Sequence, residues 1–158
     1  MTRTKQSQPM INIRKAVSED SPSIIDFQIR MAWETEKLVL DPGTVTRGVN
    51  AVFKDHARGD YFVVTVEDTV IASLLITYEW SDWRNCNVWW FQSVYVLPDY
   101  RRRGIFRLMY NYIKEQAVSQ GAAGLRLYVE TENSVARNTY EALGMSSEHY
   151  SFYEWMMK

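Results

Sequence analysis

The stretch that decides the fold is Val94-Tyr95-Val96-Leu97-Pro98-Asp99-Tyr100-Arg101-Arg102-Arg103-Gly104-Ile105-Phe106. An apolar run typical of a strand ends at Pro98, three arginines and a glycine follow, and an amphipathic helix then begins. This order brings free backbone N–H groups and the positive end of the helix dipole to one corner. The stretch therefore predicts a binding corner for a diphosphate, although an ordinary solvated basic turn fits these residues about as well.

Composition limits what kind of protein carries this corner. The chain has 158 residues, of which 46% are hydrophobic and 23% charged, as expected for a soluble globular protein with one core. Its 18 Lys and Arg against 19 Asp and Glu give a net charge of -1, which argues against binding nucleic acid by bulk electrostatics. The arginine run is therefore a local feature.

Cysteine usage and hydropathy indicate a cytoplasmic protein without a disulfide or a membrane span. Cys86 is the only cysteine, and no apolar run approaches the roughly 20 residues that cross a bilayer. The polar residues 1–9 lack the apolar centre of a signal peptide, so we expect a disordered tail. His56 and His149 are isolated, and no metal site is expected.

Hydrophobic periodicity predicts an α/β domain over residues 10–158. The element order is β-α-α-β-β-β-α-β-α-β, which implies one mixed sheet. The predicted strands are Ile11–Lys15, Tyr61–Val66, Val70–Trp80, Val88–Leu97, Leu125–Glu130 and Glu148–Met157. The predicted helices begin near Pro22, at about Thr44, at about Arg103 and near Val135.

A second motif follows the fifth predicted strand. It reads Asn-x-x-Ala-x-x-x-Tyr-x-x-Leu-Gly-Met, with Asn133, Tyr140 and Gly144 as its key positions. Together with Arg101-Arg102-Arg103-Gly104-Ile105-Phe106, it resembles the GNAT family of acyl-CoA-dependent N-acetyltransferases. Either motif alone is weak, but the pair occurs in the family's order, separated by one helix and one strand. The resemblance implies a GNAT-like mixed central sheet with helices on both faces.

The resemblance also implies acetyl-CoA as the cofactor and assigns residues to it. The strand Val94–Val96 would hold the pantetheine as an added strand, with one N–H polarising the thioester carbonyl. The basic corner would hold the pyrophosphate, and two asparagines of the second motif would contact the cofactor. The full implied set is Val94, Tyr95, Val96, Arg101, Arg102, Arg103, Gly104, Ile105, Phe106, Arg107, Asn133, Asn138 and Tyr140.

Tyr140 and Glu79 are the predicted catalytic residues. The family pattern places Tyr140 near the sulfur, where it would protonate the leaving thiolate; a core aromatic at helical spacing is the alternative. The incoming amine must lose a proton, and Glu79, near the end of a central strand, is the first candidate base, acting through a water. Glu34 and Glu36 are further candidates, for which a solvated surface position is the simpler interpretation.

Phe106 is the main departure from the family pattern, which has Gly or Ala there. If its ring points into the sheet, the N–H groups of the corner stay available. If the ring points at the ligand, the corner is blocked. The first orientation is favoured because the rest of the corner is intact.

The acceptor side is expected to be aromatic and acidic. Trp33, Glu34, Glu36 and Trp80 would suit a cationic amine through charge pairing and cation–π contact, although packing or a dimer contact explains them equally well. The chain is therefore predicted to acetylate a small cationic amine by direct transfer in a ternary complex. A non-catalytic acyl-CoA binding or sensing module is the alternative, and the aromatic content permits a homodimer.

Overall fold

Five strands form one mixed sheet in the spatial order β1-β2-β3-β4-β5. The computed structural model describes residues 9–157, so the predicted tail lies, except for Pro9, outside the described residues. The strands are β1 (Ile11–Lys15), β2 (Asp60–Val66), β3 (Thr69–Ser81), β4 (Cys86–Val96) and β5 (Gly124–Arg126). The first four pair antiparallel, and β5 pairs parallel to β4, which confirms the predicted mixed sheet.

The hairpin between β2 and β3 follows from its turn residues. Glu67 and Asp68 both have positive φ, at 47° and 66°. Two consecutive left-handed residues form the type of turn whose twist matches that of the flanking strands. The chain therefore reverses over two residues, and Thr69 already belongs to β3, although the sequence placed the start of this strand at Val70.

Helices cover both faces of this sheet, as the resemblance implied. The helices α1 (Ser21–Glu36) and α2 (Pro42–Lys54) pack on one face, where Ile24 and Val49 join Tyr61 and Val63 of β2 in a buried cluster. On the opposite face, α3 (Ile105–Ser119) meets Phe62, whose ring centroid lies 6.0 Å from that of Tyr112. Successive side chains of β2 point to opposite faces of the sheet, and this alternation decides which residues meet which helices.

Asp60 connects three strands at one end of the sheet. Its carboxylate lies 2.7 Å from Lys15 Nζ of β1, 2.7 Å from His56 Nδ1 and 2.6 Å from the Tyr78 hydroxyl of β3. Burial alone would raise the pKa of Asp60, but these three partners outweigh it and hold the pKa below its ordinary value. The carboxylate is therefore ionised at neutral pH.

Contacts divide the chain into two units, Met1–Arg126 and Leu127–Lys158, which are described separately. The second unit contains α4 (Ser134–Ala142), whose N-terminus is capped by the Asn133 side chain. In the same unit, the Tyr128 and Phe152 rings stack with centroids 5.2 Å apart. That the two units form one domain stays a prediction.

The predicted strand Glu148–Met157 is wrong, because these residues form no regular secondary structure. The predicted strand Leu125–Glu130 is correct only at its start, since β5 ends at Arg126. Both segments are rich in residues that favour strands, but a strand also needs a neighbour to pair its backbone groups. In the second unit the two segments meet through the Tyr128–Phe152 stack and form no ladder.

The remaining boundaries move by a few residues. The second helix is Pro42–Lys54, so both of its ends lie earlier than predicted. It begins early because the Asp41 side chain caps its N-terminus by accepting a hydrogen bond from the Thr44 N–H at 2.7 Å. Among residues 9–157, no helix is both long enough and apolar enough to cross a membrane.

We predict that Gly59→Ala destabilises the protein by about 2–4 kcal/mol. Gly59 has φ of 132°, and a Cβ there would overlap the carbonyl oxygen of Ile76 on the neighbouring strand. Urea denaturation measures the loss. Gly48→Ala in α2 is the matched control, because nothing lies within 4 Å of its Cβ position; it should stabilise the protein by about 0.5–1 kcal/mol. Equal stabilities for the two variants would contradict the explanation.

Candidate active site

The basic corner between β4 and α3 has the backbone geometry of an anion site. After a single 3-10 turn at Pro98–Tyr100, Arg102 adopts φ of 59° and Gly104, the N-cap of α3, adopts φ of 79°. Left-handed residues in such a turn make successive N–H groups converge. Within the first unit, no hydrogen bond engages the backbone N–H groups of Arg102, Arg103, Gly104, Ile105 and Arg107. The corner therefore presents free donors at a helix N-terminus.

The end of β4 next to this corner has one open edge within the first unit. Pairing between β4 and β5 stops at Trp90–Arg126, so Phe91–Val96 pair only with β3. The β3–β4 register also shifts, with one extra residue in β4 and Ser93 at φ of 50°. Such a bulge bends a strand and reorients its backbone groups. Within the first unit, Val94–Val96 thus have no strand partner on that side, and an extended ligand could hydrogen-bond there.

The ring of Phe106 points towards the sheet. Its centroid lies 6.3 Å from that of Phe91 on β4 and 6.4 Å from that of Tyr110, one turn further along α3. The side chain is half-buried. The orientation favoured from the sequence is therefore the observed one, and the ring packs with neighbouring aromatics.

Arg101 and Glu34 contact each other, although the sequence placed them in different parts of the site. Arg101 Nη2 donates to Glu34 Oε2 at 2.6 Å, and the Tyr95 hydroxyl donates to Glu34 Oε1 at 2.7 Å. Desolvation would raise the pKa of Glu34, but these two partners outweigh it and hold the pKa below its usual value. Glu34 is therefore an ionised, engaged carboxylate.

Glu79 is engaged in a similar way. Its Oε2 accepts hydrogen bonds from Trp90 Nε1 and from Arg126 Nη1, both at 2.7 Å. The Trp90 hydrogen bond and then the Arg126 guanidinium hold the pKa of Glu79 below its ordinary value. A carboxylate with a lowered pKa is a weaker base than an ordinary one. The sequence did not point to Arg126, because its place beside Glu79 depends on the order of strands in the sheet.

The predicted acceptor residues do not all come together. Glu79 shares a sheet face with Trp90, whereas the adjacent Trp80 lies on the other face. There Trp80 lines a polar cleft of about 490 Å³ with Tyr78 and Trp89. On α1, Trp33 is 53% exposed and its ring lies 5.6 Å from Lys37 Nζ, and Glu36 is exposed in the last turn.

The second unit positions the residues of the second motif. The Asn133 side chain accepts a hydrogen bond from the Ala136 N–H at 3.1 Å and so begins α4, while Asn138 is exposed on this helix. Burial raises the pKa of Tyr140, so its phenol stays protonated through the neutral range. Among residues 9–157, no three His, Cys, Asp or Glu side chains form a cluster that could hold a metal ion.

Comparison with known proteins agrees with this architecture. The model of the acetyltransferase (GNAT) family matches residues 26–145, which is more than half of the chain. The crystal structure of a possible acetyltransferase from Clostridium difficile 630 is 46% identical, with a TM-score of 0.87 over 94% of this chain and 99% of that one. The chain belongs to the GNAT acetyltransferase family.

Two further relatives are more distant. A thialysine N-epsilon-acetyltransferase from Bos taurus is 33% identical over 75 residues, which are 48% of this chain and 44% of that protein. This chain therefore spans less than half of the length of that curated relative. A predicted acetyltransferase from Clostridium acetobutylicum, solved with acetyl-CoA, is 16% identical with a TM-score of 0.73 over 92% of this chain and 96% of that one, and so supports the fold alone.

We predict that Phe106→Ala lowers the free energy of unfolding by about 2 kcal/mol, because it removes a half-buried ring. Phe106→Leu should retain most of the packing, and urea denaturation compares the two. Phe106→Gly should bring no large gain in acetyl-CoA affinity, since the ring lies against Phe91 and Tyr110. A tenfold gain in affinity, measured by calorimetry, would show instead that the ring obstructs the corner.

Proposed function

We propose that the protein is an N-acetyltransferase that transfers the acetyl group of acetyl-CoA to a primary amine. The observation that carries this proposal is the basic corner with its free N–H groups, directly after the open edge of β4. An elongated thioester with a diphosphate needs both features: a backbone edge for its amide-containing arm and an anion site beyond it. Family membership supports the same substrate.

The acetyl donor would bind along these elements. Val94–Val96 would pair with the pantetheine arm, and one of their N–H groups would polarise the thioester carbonyl. The diphosphate would bind at the corner. Arg101 begins the corner, and the proposed contacts of the acetyl donor that follow it are Arg102, Arg103, Gly104, Ile105, Phe106 and Arg107, with Asn133 and Asn138 as further proposed contacts.

The proposed reaction is direct transfer in a ternary complex. The amine nitrogen attacks the thioester carbonyl carbon, the carbon–sulfur bond breaks, and the amine loses one proton. Tyr140 would protonate the departing thiolate, for which its protonated phenol is suited. Glu79 would take the amine proton through a water, although its contacts with Trp90 and Arg126 reduce its basicity.

The proposed acceptor is a small cationic amine, with Trp33, Glu34, Glu36 and Trp80 as candidate contacts. The similarity to a thialysine N-epsilon-acetyltransferase supports a small amine. Trp33 already stacks with the Lys37 ammonium group, which shows the kind of contact that an aromatic ring makes with a cation.

A non-catalytic acyl-CoA binding module is the second candidate. It is favoured by one observation, the pairing of Glu34 and Glu79 with arginines, which leaves neither carboxylate as a strong base. Both candidates predict stabilisation by acetyl-CoA, but only an enzyme releases free CoA thiol when an amine is added.

A cytoplasmic location and a homodimer also stay predictions. The exposed aromatic residues of the second unit, Tyr153 and Trp155 among them, are compatible with a dimer.

We predict that Tyr140→Phe lowers thiol release by about a hundredfold to ten-thousandfold while retaining thermal stabilisation by acetyl-CoA. The substitution removes only the hydroxyl, so binding and packing should persist. The assay follows CoA thiol with a panel of small amines. Wild-type turnover that survives the substitution would reject the acid role, and a wild type that is inert across the panel would favour the binding module.

We predict that Glu79→Gln reduces turnover most at the acidic end of the pH–rate profile, where the least amine is deprotonated. Because the Trp90 hydrogen bond and the Arg126 guanidinium hold the pKa of Glu79 below its ordinary value, this base is ionised through the neutral and mildly acidic range. The same sign applies to stability, since the contribution of Glu79 is present above the ordinary pKa of a glutamate and is lost as pH falls through its lowered folded pKa. A profile between pH 5 and about 9 that is unchanged by Glu79→Gln would reject the role.

A further inference from the structure

We propose that Glu34, Tyr95 and Arg101 form a clamp that ties α1 to the end of β4 and so positions the backbone of the basic corner. Arg101 is then a positioning residue and not a ligand of the diphosphate. This inference rests on the proposed function for its ligand, but the clamp itself is a property of the protein alone.

The clamp joins three points of the chain. Glu34 in the last turns of α1 contacts Tyr95 through one carboxylate oxygen and Arg101 through the other. Arg101 Nε donates to the Val96 carbonyl at 2.8 Å, and its guanidinium lies 5.3 Å from the centre of the Tyr95 ring. The Tyr95 ring also packs on Phe27 of α1, with centroids 5.1 Å apart.

Within the first unit, the backbone at the end of β4 is paired on one side only. Beyond Trp90 it is paired only with β3, and the bulge at Ser93 interrupts that pairing. After the Leu97 N–H bonds to Ile71, the chain leaves the sheet. The clamp fixes both Tyr95 and Val96, and the corner begins five residues after Val96, at Arg101 itself.

The chemistry of Arg101 argues against a direct role on the diphosphate. A guanidinium binds phosphate best as a fork of two parallel N–H groups. Arg101 uses Nε for Val96 and Nη2 for Glu34, so the fork formed by these two nitrogens is engaged and only its Nη1 edge is left for an anion. Its charge also neutralises the Glu34 carboxylate, which would otherwise repel an anion near the corner. Arg102, Arg103 and Arg107 are exposed and remain as the cationic side chains that can face the diphosphate.

The test rests on Glu34→Gln, whose predicted effect on CoA affinity differs between the two possible roles of Arg101. If the clamp positions the corner, Glu34→Gln and Arg101→Gln should each weaken CoA binding by about threefold to tenfold, since a partly exposed charged contact is modest. The double variant should be no weaker than the worse single variant. If Arg101 instead binds the diphosphate, Glu34→Gln should leave CoA affinity unchanged or increase it, which would overturn the proposal. Calorimetry with CoA measures the affinities.

A second measurement needs no ligand. Amide hydrogen exchange over residues 91–103 should accelerate in Glu34→Gln and Arg101→Gln, with a smaller effect in Tyr95→Phe. The control Glu115→Gln removes an exposed carboxylate of α3 and should leave exchange unchanged. Arg102→Gln should weaken CoA binding without accelerating exchange. Unchanged exchange in Glu34→Gln and Arg101→Gln would overturn the proposal. If exchange accelerates in both variants but the wild type binds no CoA, that result counts against the proposed function alone.

Discussion

The early end of the pairing between β4 and β5 is the constraint on which the candidate site in the first unit depends. The two parallel strands pair at three positions and then stop at Trp90–Arg126. Because the neighbouring strands on both sides satisfy the backbone of an inner strand, the early end of this ladder leaves donors and acceptors of β4 without a strand partner on that side within the first unit. The bulge at Ser93, the bonds of Arg101 and the left-handed turn before α3 all follow that point. Together these features give the end of β4 one side without a strand partner in the first unit, followed by the basic corner.

Charge pairing organises the face of the sheet beneath α1. Each of two carboxylates, Glu34 and Glu79, is matched with one arginine and one aromatic donor. The pairs are partly exposed, so they contribute little to stability, and their effect is to hold side chains and fix protonation states. An amine that enters this face would meet nearly neutral pairs, not open negative charge. Its deprotonation would then depend on its own pKa as well as on Glu79.

Local patterns predicted most of the fold. The hairpin at Glu67–Asp68, the antiparallel strands and the helix after Gly104 follow from residues close together in sequence. The strand Glu148–Met157 could not be judged that way, because strand formation depends on a partner that local propensity does not reveal. The same limit applies to the site. The motif located the corner, but the partnership of Glu34 with Arg101 joins residues 67 apart and appears only once α1 crosses the end of β4.

Asp60 has a consequence for how the protein responds to acid. One carboxylate joins β1, β3 and the turn that carries His56, so a single protonation weakens three contacts at once. Its pKa is lowered in the folded state, and its contribution is therefore retained at mild acidity and lost only as pH falls below the ordinary range of aspartate. Because one proton would release all three contacts, the edge strand β1 and the strands β2 and β3 would lose this support at the same pH. Acid unfolding of this sheet is thus expected to be cooperative, without separate fraying of β1.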